Sequence, residues 1–169
     1  MAARPIVIYG DPVLREKAEP VGEISQEVKD LVSEMIDTLK EAQGLGLAAP
    51  QIGVAKRIFI VDLSAIDITG SLKVFINPEI VATGDDQSEY EEGCLSFPGL
   101  YQKIARPATV KVRATDLDGN QFELEADGML ARAVLHEYDH LEGILFIDRM
   151  SPLTRTMLKG RLRKLQKVS

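Results

Sequence analysis

The chain has 169 residues, of which 45% are hydrophobic and 27% are charged, and its formal net charge at pH 7 is −6. These values are typical of one globular domain with its own core, and they exclude a disordered, collagen-like or coiled-coil chain. The apolar stretch at residues 44–55 contains Pro50 and Gln51 and is too short and too polar to span a membrane. The N-terminal residues lack the apolar core of a signal peptide, and the sole cysteine cannot form an internal disulfide. We therefore expect residues 1–169 to form a single domain that works in the cytoplasm.

Three helices are predicted, over residues 26–41, 126–141 and 152–167. The first has apolar residues spaced three and four apart along one face, with Ser25 as its N-cap. The third begins near Pro152, a residue that the first turn of a helix tolerates.

The middle of the chain is predicted to form strands, at residues 58–62, 73–76 and 109–115. The second of these is expected to end at Asn77-Pro78, and the third continues through an Asp118-Gly119 turn into a further strand. Because the helices bracket the strands instead of alternating with them, the pattern favours an α+β fold with largely antiparallel sheets over a doubly wound fold.

The segment His136-Glu137-Tyr138-Asp139-His140 places two histidines four residues apart on the second predicted helix. At that spacing both rings can reach one cation, and Glu137 lies where it can act as a general base on a metal-bound water. Such a short pattern also arises by chance. Here, however, both histidines of the chain fall in it, and apolar neighbours indicate burial, which is costly for these polar groups without a partner. The sequence therefore predicts a metal site.

A catalytic metal needs a third protein ligand, and the sequence offers more than one candidate. Downstream of His140 the only carboxylates are Glu142 and Asp148. The sole cysteine, Cys94, lies in a polar, glycine-flanked stretch, although the common fate of a free cysteine is to be a small buried hydrophobe. We hypothesise that Cys94 is the third ligand.

A glycine-rich loop at residues 44–53 superficially matches a dinucleotide-binding fingerprint. A helix precedes it instead of a strand, and Pro50 interrupts the helix that should follow, so that interpretation fails. What remains is an apolar loop whose glycines let another backbone approach closely, with one amide side chain, Gln51.

Three segments, in this order, resemble the sequence motifs of the peptide deformylase family: residues 44–51, 92–96 and 135–140. The likeness extends over most of the chain and implies largely antiparallel sheets around a central metal-binding helix, with N- and C-terminal helices, as in the bacterial type. Two positions depart from the family pattern. Leu135 stands where the family usually has glutamine, and Tyr101 stands where some members have an arginine near the peptide channel.

The resemblance implies hydrolysis of the N-formyl group from the initiator methionine of nascent chains, with release of formate, in the bacterial cytoplasm. It implies one divalent metal ion per chain, expected to be ferrous iron with zinc or nickel as alternatives, held by Cys94, His136 and His140. It also assigns the acid/base role to Glu137 and stabilisation of the oxyanion to the Gln51 amide and the Leu95 backbone N–H.

Specificity needs a pocket for the unbranched methionine side chain, for which the candidates are Leu45, Met129 and Ala133. The last two fall on the same helical stripe as the histidines, although core packing explains them equally well. The peptide is expected to add as an extended strand, hydrogen-bonding to backbone around Leu45, Gly46 and Gly93. Arg132, one turn before His136, is expected to extend its charge to the rim of the pocket.

Residues 150–169 contain six Lys/Arg and no Asp/Glu, whereas the other 149 residues carry 14 basic and 26 acidic side chains. On the third predicted helix these cations surround an apolar stripe of Leu158, Leu162 and Leu165. The pattern fits a docked surface helix with solvated charges, and it also fits a contact with RNA phosphates. The resemblance supports the RNA contact, because bacterial deformylases with such a helix bind the ribosome.

Two other functions remain open from the sequence. One is a small zinc peptidase that uses the same His-Glu-x-x-His chemistry, which an internal peptide bond as substrate would distinguish. The other is a non-catalytic, metal-stabilised adaptor that binds RNA through the basic helix, for which Glu137→Gln should change nothing measurable.

Overall fold

The computed structural model describes residues 2–65 and 70–168 and confirms the α+β class. Its helices are α1 (Gln26–Ala42), α2 (Gly128–Leu141) and α3 (Pro152–Val168). Its strands are β1 (Gly46–Ala48), β2 (Ile58–Asp62), β3 (Leu72–Thr83), β4 (Gln87–Cys94), β5 (Phe97–Pro107), β6 (Thr109–Thr115) and β7 (Gln121–Asp127). None of the helices in this part of the chain is long and apolar enough to cross a membrane.

A five-stranded antiparallel sheet in the order β1-β2-β3-β6-β7 separates α1 from α2. Successive side chains of a strand point to opposite faces, and β2 shows this directly. Phe59 and Val61 pack in one buried cluster with Ala133 and Val134 of α2. Ile58 and Ile60 pack in a second cluster that contains three side chains of α1, namely Val32, Met35 and Leu39. The sheet therefore buries the metal-motif helix on one face and the N-terminal helix on the other.

Strands β4 and β5 form a separate two-stranded antiparallel sheet. Beneath it lies a third cluster of buried apolar side chains, contributed by the hairpin, the segment Phe146–Arg149 and helix α3. Phe97 and Leu100 come from β5, and Leu158 comes from α3. Cys94 packs against this cluster, so the third cluster supports the end of the hairpin that carries the thiol.

One predicted boundary is displaced by two residues, and another is wrong. The helix expected from residue 126 begins at Gly128, because Ala126 and Asp127 still pair with β6 as the end of β7. The strand expected to stop at Asn77-Pro78 continues to Thr83. Asn77 takes φ +51° there, and its side-chain amide bonds both the N–H and the C=O of Val21, so the chain passes through an irregularity instead of ending.

Candidate metal centre

Cys94, His136 and His140 converge in space, as the sequence predicts. The thiol lies at the end of β4 and both rings lie on α2, and the nearest ligand atoms of the three are all within 4.8 Å of one another. Cys94 Sγ lies 3.4 Å from His140 Nε2. Tetrahedral angles with ordinary metal–sulfur and metal–nitrogen lengths require roughly 3.6 Å between such atoms. The spacing therefore fits one small divalent cation.

The thiol is positioned by a two-residue turn. Cys94 pairs with Phe97 across the hairpin, so that only Leu95 and Ser96 connect the strands. The turn is tied to the rest of the protein through Ser96, whose carbonyl accepts a 2.9 Å hydrogen bond from the N–H of Tyr9. Tight turns of this length fix strand register, and the thiol position is fixed with it.

His136 is oriented by a buried carboxylate that sequence reasoning missed. Its Nδ1 lies 2.9 Å from Glu92 Oε1. Burial alone would raise the pKa of Glu92, but its bonds with His136 and Arg106 lower that pKa to about 2. An ionised carboxylate only accepts hydrogen bonds, so Nδ1 carries the proton and Nε2 is left to face a cation. Burial lowers the pKa of His136, yet the contacts with Cys94 and Glu92 raise it well above its usual value, so a cation that binds Nε2 would have to displace a proton from this ring.

Glu92 belongs to a buried ion network. Arg106 donates to both of its oxygens, at 2.7 and 3.1 Å, and Arg132 Nη1 donates to Oε2 at 2.7 Å. Arg106 also bonds Asp139 at 2.8 Å, and Asp139 accepts two further bonds from Arg149. The network thus links β4, β5 and α2 directly behind the ligand cluster.

The prediction that Arg132 extends to the pocket rim is wrong. Its side chain is buried, and besides Glu92 it bonds the carbonyls of Ile104 and Ser88. Arg132 lines the inner wall of the cavity, and its guanidinium group faces the β4–β5 hairpin. A buried guanidinium needs a paired carboxylate, and Glu92 supplies it from 40 residues away in sequence.

Removing the charge of Glu92 is expected to cost about 3–5 kcal/mol of unfolding free energy, because Glu92→Gln leaves two buried guanidinium groups without their shared carboxylate. Urea unfolding of the metal-free protein measures this. The matched control is Glu91→Gln, at an exposed neighbouring carboxylate, which we expect to stay within about 0.5 kcal/mol of the parent. Equal losses in the two variants would contradict the role given to the network.

Glu137 presents an unpartnered buried oxygen beside the ligand cluster. Its Oε1 has no hydrogen-bond partner among the described residues, and burial raises its pKa to about 7. Gly46 makes room for it, since a Cβ there would lie 2.8 Å from Glu137 Oε2. A carboxyl group with a pKa near neutrality can both accept and return a proton at physiological pH.

His140 is also prepared for a cation. Its Nδ1 is buried without a partner among the described residues, and burial together with the nearby His136 lowers its pKa well below the usual value. The ring is therefore neutral, which is the form that binds metals. A thiol and two imidazoles are a suitable donor set for zinc, iron or nickel.

Gln51 is held so that its amide N–H groups face the thiol. Its side-chain oxygen accepts a 3.0 Å bond from the N–H of Ala48. Its Nε2 consequently points the other way, 3.2 Å from Ser96 Oγ and 3.6 Å from Cys94 Sγ. The donor is thus preorganised next to the candidate metal ligands.

A cavity of about 400 Å³ opens beside this cluster. Apart from His140, all the predicted site residues line it: Leu45, Gly46, Gln51, Gly93, Cys94, Leu95, Met129, Ala133, His136 and Glu137. Tyr101 lies at the mouth and is 61% exposed. Its ring covers the bare backbone of Gly93, where a Cβ would lie 2.4 Å from Tyr101 Cε1.

A partly buried cysteine and two buried histidines next to an unpaired carboxylate and a cavity form an arrangement that is found in mononuclear metallohydrolases. Residues 3–156 match the family model described as polypeptide deformylase, and the chain belongs to this family. A peptide deformylase of Acidobacterium capsulatum is 48% identical over 167 residues, covering 99% of this chain and 98% of that protein.

Solved structures agree with this assignment. A peptide deformylase from Legionella pneumophila superposes with a TM-score of 0.90 at 41% identity, covering 99% of this chain and 97% of that one. The peptide deformylase from Thermus thermophilus also gives a TM-score of 0.90, at 39% identity, covering 99% of both chains.

Proposed function

We propose that this protein is a metal-dependent hydrolase that removes the N-formyl group from the initiator methionine of nascent polypeptides and releases formate. The observation that carries the proposal is the convergence of Cys94 with both histidines beside the buried carboxylate of Glu137, in a chain of the polypeptide deformylase family. Such substrates are made wherever bacterial ribosomes translate, so we place the reaction in the bacterial cytoplasm.

One divalent ion would be held by Cys94, His136 and His140, with ferrous iron as the proposed ion and zinc or nickel as alternatives. When bound, such an ion supplies Lewis acidity that makes water a nucleophile near neutral pH. The negative charge of the thiolate moderates that acidity relative to three neutral imidazoles, and it suits softer metals.

Glu137 carries the proton in this proposal. As water attacks the formyl carbonyl, Oε1 of Glu137 takes its proton, and the same carboxyl group then protonates the departing amine. A pKa of about 7 suits both halves of the transfer. The close approach of Gly46 limits the positions that the carboxylate can take.

Two donors serve the oxyanion that forms on the formyl oxygen. One is the Gln51 side-chain amide, oriented by Ala48, and the other is the backbone N–H of Leu95 in the hairpin turn. Donors fixed before the charge develops contribute roughly 2.7–4 kcal/mol each to stabilisation of the transition state.

Gln51→Leu is expected to lower formate release by about 10²- to 10³-fold while the metal-to-protein ratio stays normal. The change keeps side-chain size but removes the donor aimed at the cluster. Turnover and metal analysis on the same preparation measure both effects. A rate close to that of the parent would remove Gln51 from the mechanism.

The substrate methionine is proposed to enter the cavity against Leu45, Met129 and Ala133. The following peptide backbone would lie extended between the main chain at Gly46 and the main chain at Gly93, where Glu137 and Tyr101 occupy the space that a side chain would take. Tyr101 at the mouth offers an aromatic surface where some relatives offer a cation, so we expect no preference for acidic side chains there.

Formate release from formyl-Met-Ala-Ser, with protein purified anaerobically and its metal content determined, tests the proposal. The same preparation is incubated with unformylated Met-Ala-Ser and with internal peptide bonds. Cleavage of internal bonds without formate release would favour the zinc peptidase. No turnover of any substrate, with metal retained, would favour the adaptor.

The basic helix α3 is proposed to contact ribosomal RNA. The side chains of Arg155, Lys159, Arg161, Arg163 and Lys164 are exposed, while that of Lys167 lies outside the described part of the structure. Clustered cations on an otherwise acidic protein favour phosphate, with a binding constant that falls as salt rises. Cosedimentation with ribosomes at two salt concentrations tests this, and binding that is unaffected by deleting residues 155–169 would contradict it.

A further inference from the structure

Strand β5 contains a bulge at the rim of the cavity. The cross-strand pair Cys94–Phe97 is followed by the pair Gly93–Tyr101, so three residues of β5 have no counterpart on β4: Pro98, Gly99 and Leu100. We call these three residues the rim bulge. Leu100 is buried, whereas the other two are exposed and line the cavity. Gly99 takes φ +77°, a conformation that L side chains rarely adopt.

Helix α3 holds this bulge from outside. Arg161 Nη2 donates a 2.9 Å hydrogen bond to the carbonyl of Gly99, 62 residues away in sequence. One turn earlier, Leu158 is buried in the same apolar cluster as Leu100. The bulge is therefore fixed by apolar packing on its buried residue and by one charge-assisted hydrogen bond on its exposed residue.

We propose that Arg161 is a positioning residue for substrate binding. By fixing the Gly99 carbonyl, it sets the shape of the cavity rim next to the turn that holds Cys94 and Leu95. Arg161 lies beyond residues 3–156, so the family match does not include it. The inference rests on the proposed function, because the substrate that would contact the cavity rim is the formyl-methionyl peptide.

The first test separates binding from chemistry. Arg161→Ala is expected to raise KM for formyl-Met-Ala-Ser by about two- to tenfold, the range for one ordinary hydrogen bond, because Arg161 is exposed to water; kcat and metal content should be unchanged. Arg161→Lys, which keeps a donor, should recover part of the loss. The matched control, Arg113→Ala, removes the same charge from an exposed position on β6 that does not line the cavity, and its KM should stay within about twofold of the parent.

The second test needs no turnover. Amide hydrogen exchange at Gly99–Tyr101 should be faster in Arg161→Ala than in the parent and unchanged in Arg113→Ala. An equal rise of KM in both alanine variants, or unchanged exchange in the rim bulge, would overturn the inference. Absence of formate release by the parent protein would instead refute the proposed function, and the exchange measurement would still decide the role of Arg161.

Discussion

Glu137→Gln is expected to lower formate release by about 10²- to 10⁴-fold, at the upper end if proton transfer limits both halves of the reaction. Glutamine has nearly the same shape as glutamate but cannot accept the proton. Because the carboxylate is not one of the three candidate ligands that converge, the metal content should not fall. Steady-state turnover, with metal analysis on the same sample, measures the effect.

The control for this variant is Glu125→Gln, at an exposed carboxylate on β7, which should keep the parent rate. Glutamine at 137 also removes a costly buried carboxyl group, so thermal stability should be retained or slightly increased. A Glu137→Gln protein that turns over within about tenfold of the parent would show that another group moves the proton.

Cys94→Ala is expected to abolish tight metal binding. Replacing residues that only orient a ligand already costs about 10–100-fold in metal affinity, and loss of a ligand should cost more. The expected measurement is a metal-to-protein ratio near zero after gel filtration at micromolar protein, with no formate release. Full retention of tightly bound metal would eliminate Cys94 as a ligand.

A circular dichroism spectrum with the helical signal of the parent would show that the loss of metal is not caused by unfolding of the variant. Cys94 is a partly buried neighbour of the third apolar cluster, so loss of its sulfur should cost about 1 kcal/mol and leave the fold intact. Cys94→Ser is a useful second variant, because it keeps the size and polarity of the side chain but replaces the soft sulfur donor with oxygen.

The convergence of the ligands could be predicted from sequence because helical geometry alone brings His136 and His140 together. Helical geometry does not place the third member, Cys94, because it is 46 residues from His140 in sequence. Only the resemblance of three ordered segments to the family motifs related the cysteine to the histidines. The first helix and strand β2 were predictable as well, because α1 carries apolar residues along one face and β2 is a continuous apolar run.

The hairpin β4–β5 and the network behind the site could not be predicted in the same way. The outward positions of β4 include Glu89 and Glu91, and one of its inward positions is the charged Glu92, so no apolar alternation marks the strand. Arg132 forms an ion pair with a carboxylate that is distant in sequence. The expectation that long cationic side chains extend to solvent does not take such a partner into account. The strand break expected at Asn77 fails for the same reason, since its partner Val21 is 56 residues away.

The three candidate ligands come from two separate parts of the fold: the sulfur from the small hairpin, the nitrogens from a helix packed on the larger sheet. An ion bound to all three would act as a cross-link between these parts and would bind the native chain in preference to the unfolded one. By mass action, the resistance of the protein to heat should then increase with the logarithm of free metal concentration, and chelation should loosen the hairpin before the helix.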